Sequence, residues 1–378
     1  MKLSCDKLFS IIRCGMGLET PDFRLTEEEI QELKEFGKKQ SVLSILYYGL
    51  KSMHLPSEQI HAIEKACSED LYRFILHDVY LEQVGTALNL SGIPYIFLKG
   101  AVIRNLYPKP EMRTSCDIDI LVKEENLAEA INAIEEKTDL KMVKKSYHDV
   151  IMVDNGQRMH LELHFNIKEN NENLDTFLSR AWEYANPPET GSRYAFTPEF
   201  QIFHVIAHMC HHFLNGGVGI RPFIDLWLLR NKTEYCEDTV MDMCRQCKIL
   251  KFYEECCNLS DVWMENAKRT DMTSAMEEFC LSGGVFGTMK FKNAGRQRHE
   301  RGWKYLLRRI FPPVYQVKEF YRDESGKEHI AAYYYLKRLF IWFSKERRED
   351  LKKQTSDILS TDKQYMDQAA DLFKQLEL

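Results

Sequence analysis

The stretch that most limits what this chain can fold into is Asp117-Ile118-Asp119-Ile120-Leu121-Val122, which follows Lys99-Gly100 at a short distance. A strand turns successive residues to opposite faces, so Asp117 and Asp119 share one face and Ile118 and Ile120 the other. The apolar face must meet a core. The acidic face carries two carboxylates that repel each other, and a divalent cation between them removes that repulsion.

The neighbouring segments supply more of the same surface. Tyr95-Ile96-Phe97-Leu98 reads as a short buried strand, and Gly100 to Tyr107 as one or two helical turns stopped by Pro108 and Pro110. Glu125 to Glu136 reads as a helix, and Leu140 to Val143 and Val150 to Val153 as strands. Asn155-Gly156 signals a type I′ hairpin. The returning strand alternates, with Met159, Leu161, Leu163 and Phe165 on one side and His160, Glu162 and His164 on the other. Glu162 can thus join Asp117 and Asp119 as a third carboxylate. Three shared carboxylates suit a pair of Mg²⁺ ions, one acidifying an attacking hydroxyl and one neutralising a polyphosphate. Gly100, between strand and helix, lets the backbone approach a phosphate, while Lys99 and Arg113 carry charge to meet it.

Around this core the pattern is helical. In residues 1–90, Thr26 and Glu29 form a capping box, and Pro56-Ser57 opens a long amphipathic run that ends at Ser91-Gly92-Ile93-Pro94. Phe200 to Leu214, Pro222 to Arg230 and Val240 to Cys257 each read as one helix, followed by a Gly-containing connector from Gly283 to Gly295. The expected division is 1–90 helical, 91–196 sheet-bearing and 197–378 helical, an α+β chain.

Composition narrows the class. Of 378 residues, 44% are hydrophobic and 29% charged, a globular balance. The formal charge of −6 argues against a surface that coats nucleic acid, although residues 290–348 hold 16 Lys and Arg against 6 Asp and Glu. Eleven cysteines, an odd number without framework spacing, suit a reducing cytoplasm. No signal peptide and no membrane span are expected.

Leu98-Lys99-Gly100, Leu106-Tyr107-Pro108, Arg113, Asp117 to Val122 and Leu161-Glu162-Leu163-His164 resemble the uncharacterised nucleotidyltransferase family, of the DNA polymerase beta-like superfamily. The resemblance runs on through His204, His208 and Gly219 to Leu226, and to the basic C-terminal part, covering about residues 60–345. It implies a nucleotidyltransferase-type mixed sheet flanked and followed by helices. It also implies transfer of a nucleoside monophosphate from an NTP such as ATP to an acceptor, which the sequence does not identify among small molecules, proteins and RNA. Asp117, Asp119 and Glu162 would bind Mg²⁺ or Mn²⁺, and Lys99, Gly100, Ala101 and Arg113 the nucleotide. Ala101 stands where the superfamily usually has Ser or Gly. The competing reading is a non-catalytic nucleotide- or partner-binding module on the same fold.

Other residues invite blander readings. His204, His208 and His211 form one helical stripe but lack the Glu of a zincin motif, and are expected to be satisfied by hydrogen bonds at a domain interface. Cys244, Cys247, Cys256 and Cys257 fall among helical apolar residues and read as buried thiols. Arg221 and Asp225, four apart, read as an ion pair. Tyr333 to Phe343 is too apolar all round for a solvent helix and should dock on the fold.

Overall fold

The computed structural model describes residues 3–282 apart from 54, 56, 116 and 170, together with 311–312, 314, 317, 330–342 and 363–378. Four helices come first: α1 (Cys5–Gly15), α2 (Glu27–Gln40), α3 (Leu43–Ser52) and α4 (Ser57–Leu90). The capping box forms, with Thr26 Oγ1 accepting the Glu29 N–H at 3.2 Å and Glu29 Oε2 accepting the Thr26 N–H at 2.9 Å. α2 ends at Ser41, whose left-handed backbone (φ 53°) turns the chain into α3.

The sheet follows: β1 (Tyr95–Phe97), α5 (Gly100–Ile103), β2 (Asp117–Val122), α6 (Leu127–Lys137), β3 (Lys141–Lys145), β4 (Asp149–Val153), β5 (His160–His164), α7 (Glu172–Leu178), β6 (Ala185–Asn186) and β7 (Arg193–Phe196). Its order is β3-β4-β5-β2-β1-β7-β6, with β2–β5 and β1–β7 parallel and the other pairs antiparallel. Seven strands beside predominantly helical segments make this an α+β fold. β6 and β7, two and four residues long and separated by Pro187-Pro188, have no counterpart in the sequence reading. β7 owes its place to pairing with β1 rather than to its own pattern.

One face of the sheet is apolar. Ile118, Ile120 and Val122 of β2, Leu161 and Leu163 of β5, and Val150 and Met152 of β4 pack against Val84 and Leu88 of α4 and Ala130 and Ile134 of α6. The opposite face meets a larger helical core built from both ends of the chain. α8 (Pro198–Asn215), α9 (Arg221–Lys232), α10 (Glu237–Gln246), α11 (Leu250–Glu265) and α12 (Asp271–Ser282) belong to it. Phe9 of α1 stacks on Trp263 of α11 at 4.7 Å, and Arg13 Nη1 donates to the Trp263 carbonyl at 3.0 Å. α13 (Ala331–Trp342) follows, and α14 (Lys363–Gln375) returns Phe373 to the ring of Phe213. Ile96, Leu98 and Leu121 join this core from the sheet. The acidic residues of β2 and β5 therefore lie where sheet and helical core meet.

Three expectations change. The run from Val240 to Cys257 is two helices, α10 and α11. The Ile249 N–H bonds back to the Cys244 carbonyl at 2.9 Å while Lys248 adopts φ 58°, a Schellman closure made by lysine where glycine would be the readable signal. The β4–β5 connection is not a two-residue type I′ turn. The buried Asp154 carboxylate accepts backbone N–H groups of Gly156, Arg158 and Met159 at 3.1, 2.6 and 2.8 Å, which widens the loop and leaves Gln157, not Asn155 or Gly156, at positive φ. Of the described side chains of α13, Tyr334 is buried while Tyr333 and Leu336 stay exposed, so among them one side alone docks. The connector from Gly283 to Gly295, Phe343 and most of the basic segment lie outside the described residues.

Candidate metal and nucleotide site

Parallel pairing of β2 with β5 places Asp117 opposite His160, Asp119 opposite Glu162 and Leu121 opposite His164. Alternation sends Ile118, Ile120, Leu161 and Leu163 into the core behind, so the two acids of β2 share a face with His160, Glu162 and His164. The β2 end is anchored from α4, where His77 Nε2 lies 3.0 Å from the Asp117 carbonyl oxygen.

On that face His164 Nε2 lies 3.1 Å from Asp119 Oδ1 and 3.5 Å from Glu162 Oε2. Lys99 Nζ approaches Asp119 Oδ1 at 3.9 Å. Burial works against the charge on both cations, but the carboxylates prevail. Asp119, Glu169, Glu162 and Asp117 keep the Lys99 ammonium protonated, and the bonds to Asp119 and Glu162 lift His164 to about 9. Asp119 is driven well below the usual carboxylate range: burial opposes ionisation, but Lys99 and the His164 bond outweigh it. Asp117 moves the other way, raised by burial and then by the charges of Asp119 and Glu162.

Asp119, Glu162 and His164 each offer a donor atom within 4.8 Å of the others, and Asp117 stands two residues before Asp119 on the same face of β2. The donor set, two or three carboxylate oxygens on a partly open face, fits a hard divalent cation that retains water ligands. His164, which the sequence places only beside Glu162, is in hydrogen-bonding reach of both carboxylates and orients them.

The turn at Lys99-Gly100, expected to meet a phosphate, departs from the sequence reading. Lys99 caps α5 with φ 41° and ψ −110°, a strained backbone for a residue with a Cβ, of a kind that clusters at functional sites. Gly100 has an ordinary φ, and its lack of a side chain is filled by protein: a Cβ there would lie 2.4 Å from Arg113 Nη1. Arg113 does not offer its fork outward. Its Nε and Nη2 donate to Asp225 Oδ1 and Oδ2 at 2.8 and 2.7 Å, where Tyr107 also donates at 2.7 Å. Asp225 is thereby engaged across the fold, while Arg221 Nη1 donates to the Thr114 carbonyl at 2.8 Å, in place of the local ion pair expected within α9. Ala101 faces the core between α4 and the sheet, and its N–H bonds the Leu98 carbonyl at 3.3 Å, because residues 98–103 close a helical turn. A hydroxyl at position 101 would enter that core.

α8 presents the histidine stripe to the segment that follows β5. His208 Nδ1 lies 2.9 Å from Glu169 Oε1, and His211 Nδ1 lies 2.6 Å from the Glu169 carbonyl. Glu169 is buried, and its carboxyl lies far below the ordinary range; burial opposes this, but His208 and Lys99 outweigh it. The sequence reading missed Glu169, whose only signal is its position five residues beyond His164. His208 and His211 are satisfied as expected. His204 is not: both ring nitrogens are buried without a hydrogen-bond partner among the described residues, and burial lowers it to about 3, so it stays neutral. No metal-spaced group among the described residues includes these histidines or the cysteines of α10 and α11. No disulfide joins the described cysteines, and burial raises Cys244 and Cys256 well above an ordinary thiol. Among the described residues no helix is long and apolar enough to cross a membrane.

No curated protein and no solved structure matches the chain. The sequence model of the uncharacterised nucleotidyltransferase family matches residues 26–265, a span that takes in α2 to α11 and every residue of the acidic face. The chain belongs to that family of uncharacterised nucleotidyltransferases.

Proposed function

We propose that the protein transfers a nucleoside monophosphate from an NTP to an acceptor, releasing pyrophosphate. The observation that carries this reading is the register of Asp119 with Glu162 across β2–β5, with Asp117 on the same face. Asp117, Asp119 and Glu162 would hold Mg²⁺ or Mn²⁺. When bound, the ion would neutralise triphosphate charge and acidify the attacking hydroxyl.

The chain's own groups divide the remaining work. The acceptor oxygen bonds to the α-phosphorus as the bond from that phosphorus to the bridging oxygen breaks, and pyrophosphate leaves. Glu162, partly exposed beside His164, takes the hydroxyl proton on a carboxylate oxygen. Lys99, kept protonated at the strained turn, meets the β- and γ-phosphates. Gly100 borders the same phosphates. Arg113 acts from behind, fixing the Gly100 turn against Asp225. His164 holds Asp119 and Glu162 in position.

The test is Mg²⁺-dependent pyrophosphate release from each NTP over a panel of small-molecule, protein and RNA acceptors. Turnover in the wild type, lost in Asp117→Asn and Asp119→Asn, is the expected result. Tight NTP binding with no turnover on any acceptor would make the protein a binding module. Mg²⁺-dependent NTP binding unchanged in both variants would remove the metal assignment.

A further inference from the structure

The structure assigns a second cation position to His148, Asp149 and His164, suited to Zn²⁺ and adjoining the Asp117–Asp119–Glu162 carboxylates, with His164 common to both groups. Each of the three offers a donor atom within 4.8 Å of the others. The inference does not depend on nucleotidyl transfer.

The backbone brings these residues together from two strands. Asp149 opens β4 directly opposite His164, which closes β5. His148 is pinned beside them, its carbonyl accepting the Phe165 and Asn166 N–H groups at 3.0 and 3.2 Å. Asp149 and His164 are both 8% exposed.

The side chains are also pre-oriented. Ser146 Oγ bonds Asp149 Oδ1 and lies 3.1 Å from His148 Nδ1. That leaves His148 Nε2 as the outward nitrogen, 3.7 Å from Asp149 Oδ2. Neighbouring ligand atoms around a tetrahedral zinc are about 3.3 Å apart, given Zn–N and Zn–O distances near 2 Å, so small side-chain rotations suffice. A hydroxyl that fixes both a ligating imidazole and a ligating carboxylate is the outer-sphere support metal sites use. Two imidazoles and one carboxylate with a fourth position open is a zinc donor set, whereas Mg²⁺ favours oxygen ligands throughout; the zinc takes the place of one of the two protons that His164 carries in the metal-free protein, which is released to solvent. Because His164 also contacts Asp119 and Glu162, an ion on one donor group lies beside the other.

The experiment uses the full chain, stripped of metal with a chelator and dialysed. It is titrated with ZnCl₂ by calorimetry and with Co²⁺ by visible absorption. The wild type should bind one Zn²⁺ at this position, and Co²⁺ should give the intense visible bands of a four- or five-coordinate site. His148→Gln should weaken Zn²⁺ by about 100-fold or more, and Ser146→Ala by about 10-fold, as loss of an outer-sphere partner does. Asp117→Asn should leave Zn²⁺ affinity unchanged. Zn²⁺ binding lost in Asp117→Asn but kept in His148→Gln would place the ion on the carboxylate face and overturn the proposal. So would a wild type that binds neither Zn²⁺ nor Co²⁺. If His148→Gln fails to fold, Ser146→Ala and the wild-type Co²⁺ spectrum decide the matter. Pyrophosphate release is measured separately, so either reading can fail alone.

Discussion

Removing the negative charge of Asp225 tests how the Lys99-Gly100 turn is held. Asp225 and Arg113 are 3% and 7% exposed, and two short bonds of 2.8 and 2.7 Å join them, with Tyr107 as a third donor at 2.7 Å. Taking one partner from a buried pair strands the other charge, at a cost of about 3–5 kcal/mol. Asp225→Asn keeps one carbonyl acceptor for Tyr107 or Arg113, so the loss belongs at the lower end, about 3 kcal/mol, roughly a hundredfold in the unfolding equilibrium. Replacing both partners with apolar residues removes the stranded charge. Arg113→Met with Asp225→Leu should therefore cost far less than the two single changes together, with a coupling energy of about 3 kcal/mol. Urea denaturation followed by tryptophan fluorescence reads each corner of the cycle. Single-variant costs that add to within about 0.5 kcal/mol, or an Asp225→Asn cost below about 1 kcal/mol, would refute the pairing as the anchor of the turn.

Gly100→Ala should destabilise by about 1–3 kcal/mol, since its Cβ would lie 2.4 Å from an Arg113 nitrogen that Asp225 prevents from swinging away; in the Arg113→Met, Asp225→Leu background, where that nitrogen is gone, the same change should cost far less, read as a shift in Tm. In chelator-treated protein, His164 holds its proton up to about 9 against an ordinary 6.5, so its pairing stabilises the fold fully below pH 6.5 and is lost as pH rises through 9. That loss is about 3 kcal/mol, and a urea-stability profile from pH 6 to 10 should show it in the wild type and not in His164→Gln. Asp154→Ala should release three backbone N–H groups in the β4–β5 loop, costing about 2–3 kcal/mol and speeding amide exchange at Gly156, Arg158 and Met159; unchanged exchange there would count against the loop's dependence on that carboxylate.

The acidic face was legible because its determinants are local. A period of two places Asp117 with Asp119 and Glu162 with His164 whatever the rest of the chain does, and Ile118, Ile120, Leu161 and Leu163 choose which side is buried. The capping box of α2 was legible for the same reason, its partners standing three residues apart. What the sequence left open is partner choice between distant segments. Arg113 carries the same charge whether it meets a phosphate or Asp225, 112 residues away, and only the packing of α9 against the turn decides for Asp225. Glu169 reads as an ordinary surface acid until α8 brings His208 and His211 to it. His148 gains its neighbours only from the antiparallel register of β4 on β5. The sequence by itself determined that a strand with an acidic face exists. The tertiary structure decided which charges that face meets, because side-chain periodicity is a property of one element and charge pairing a property of two.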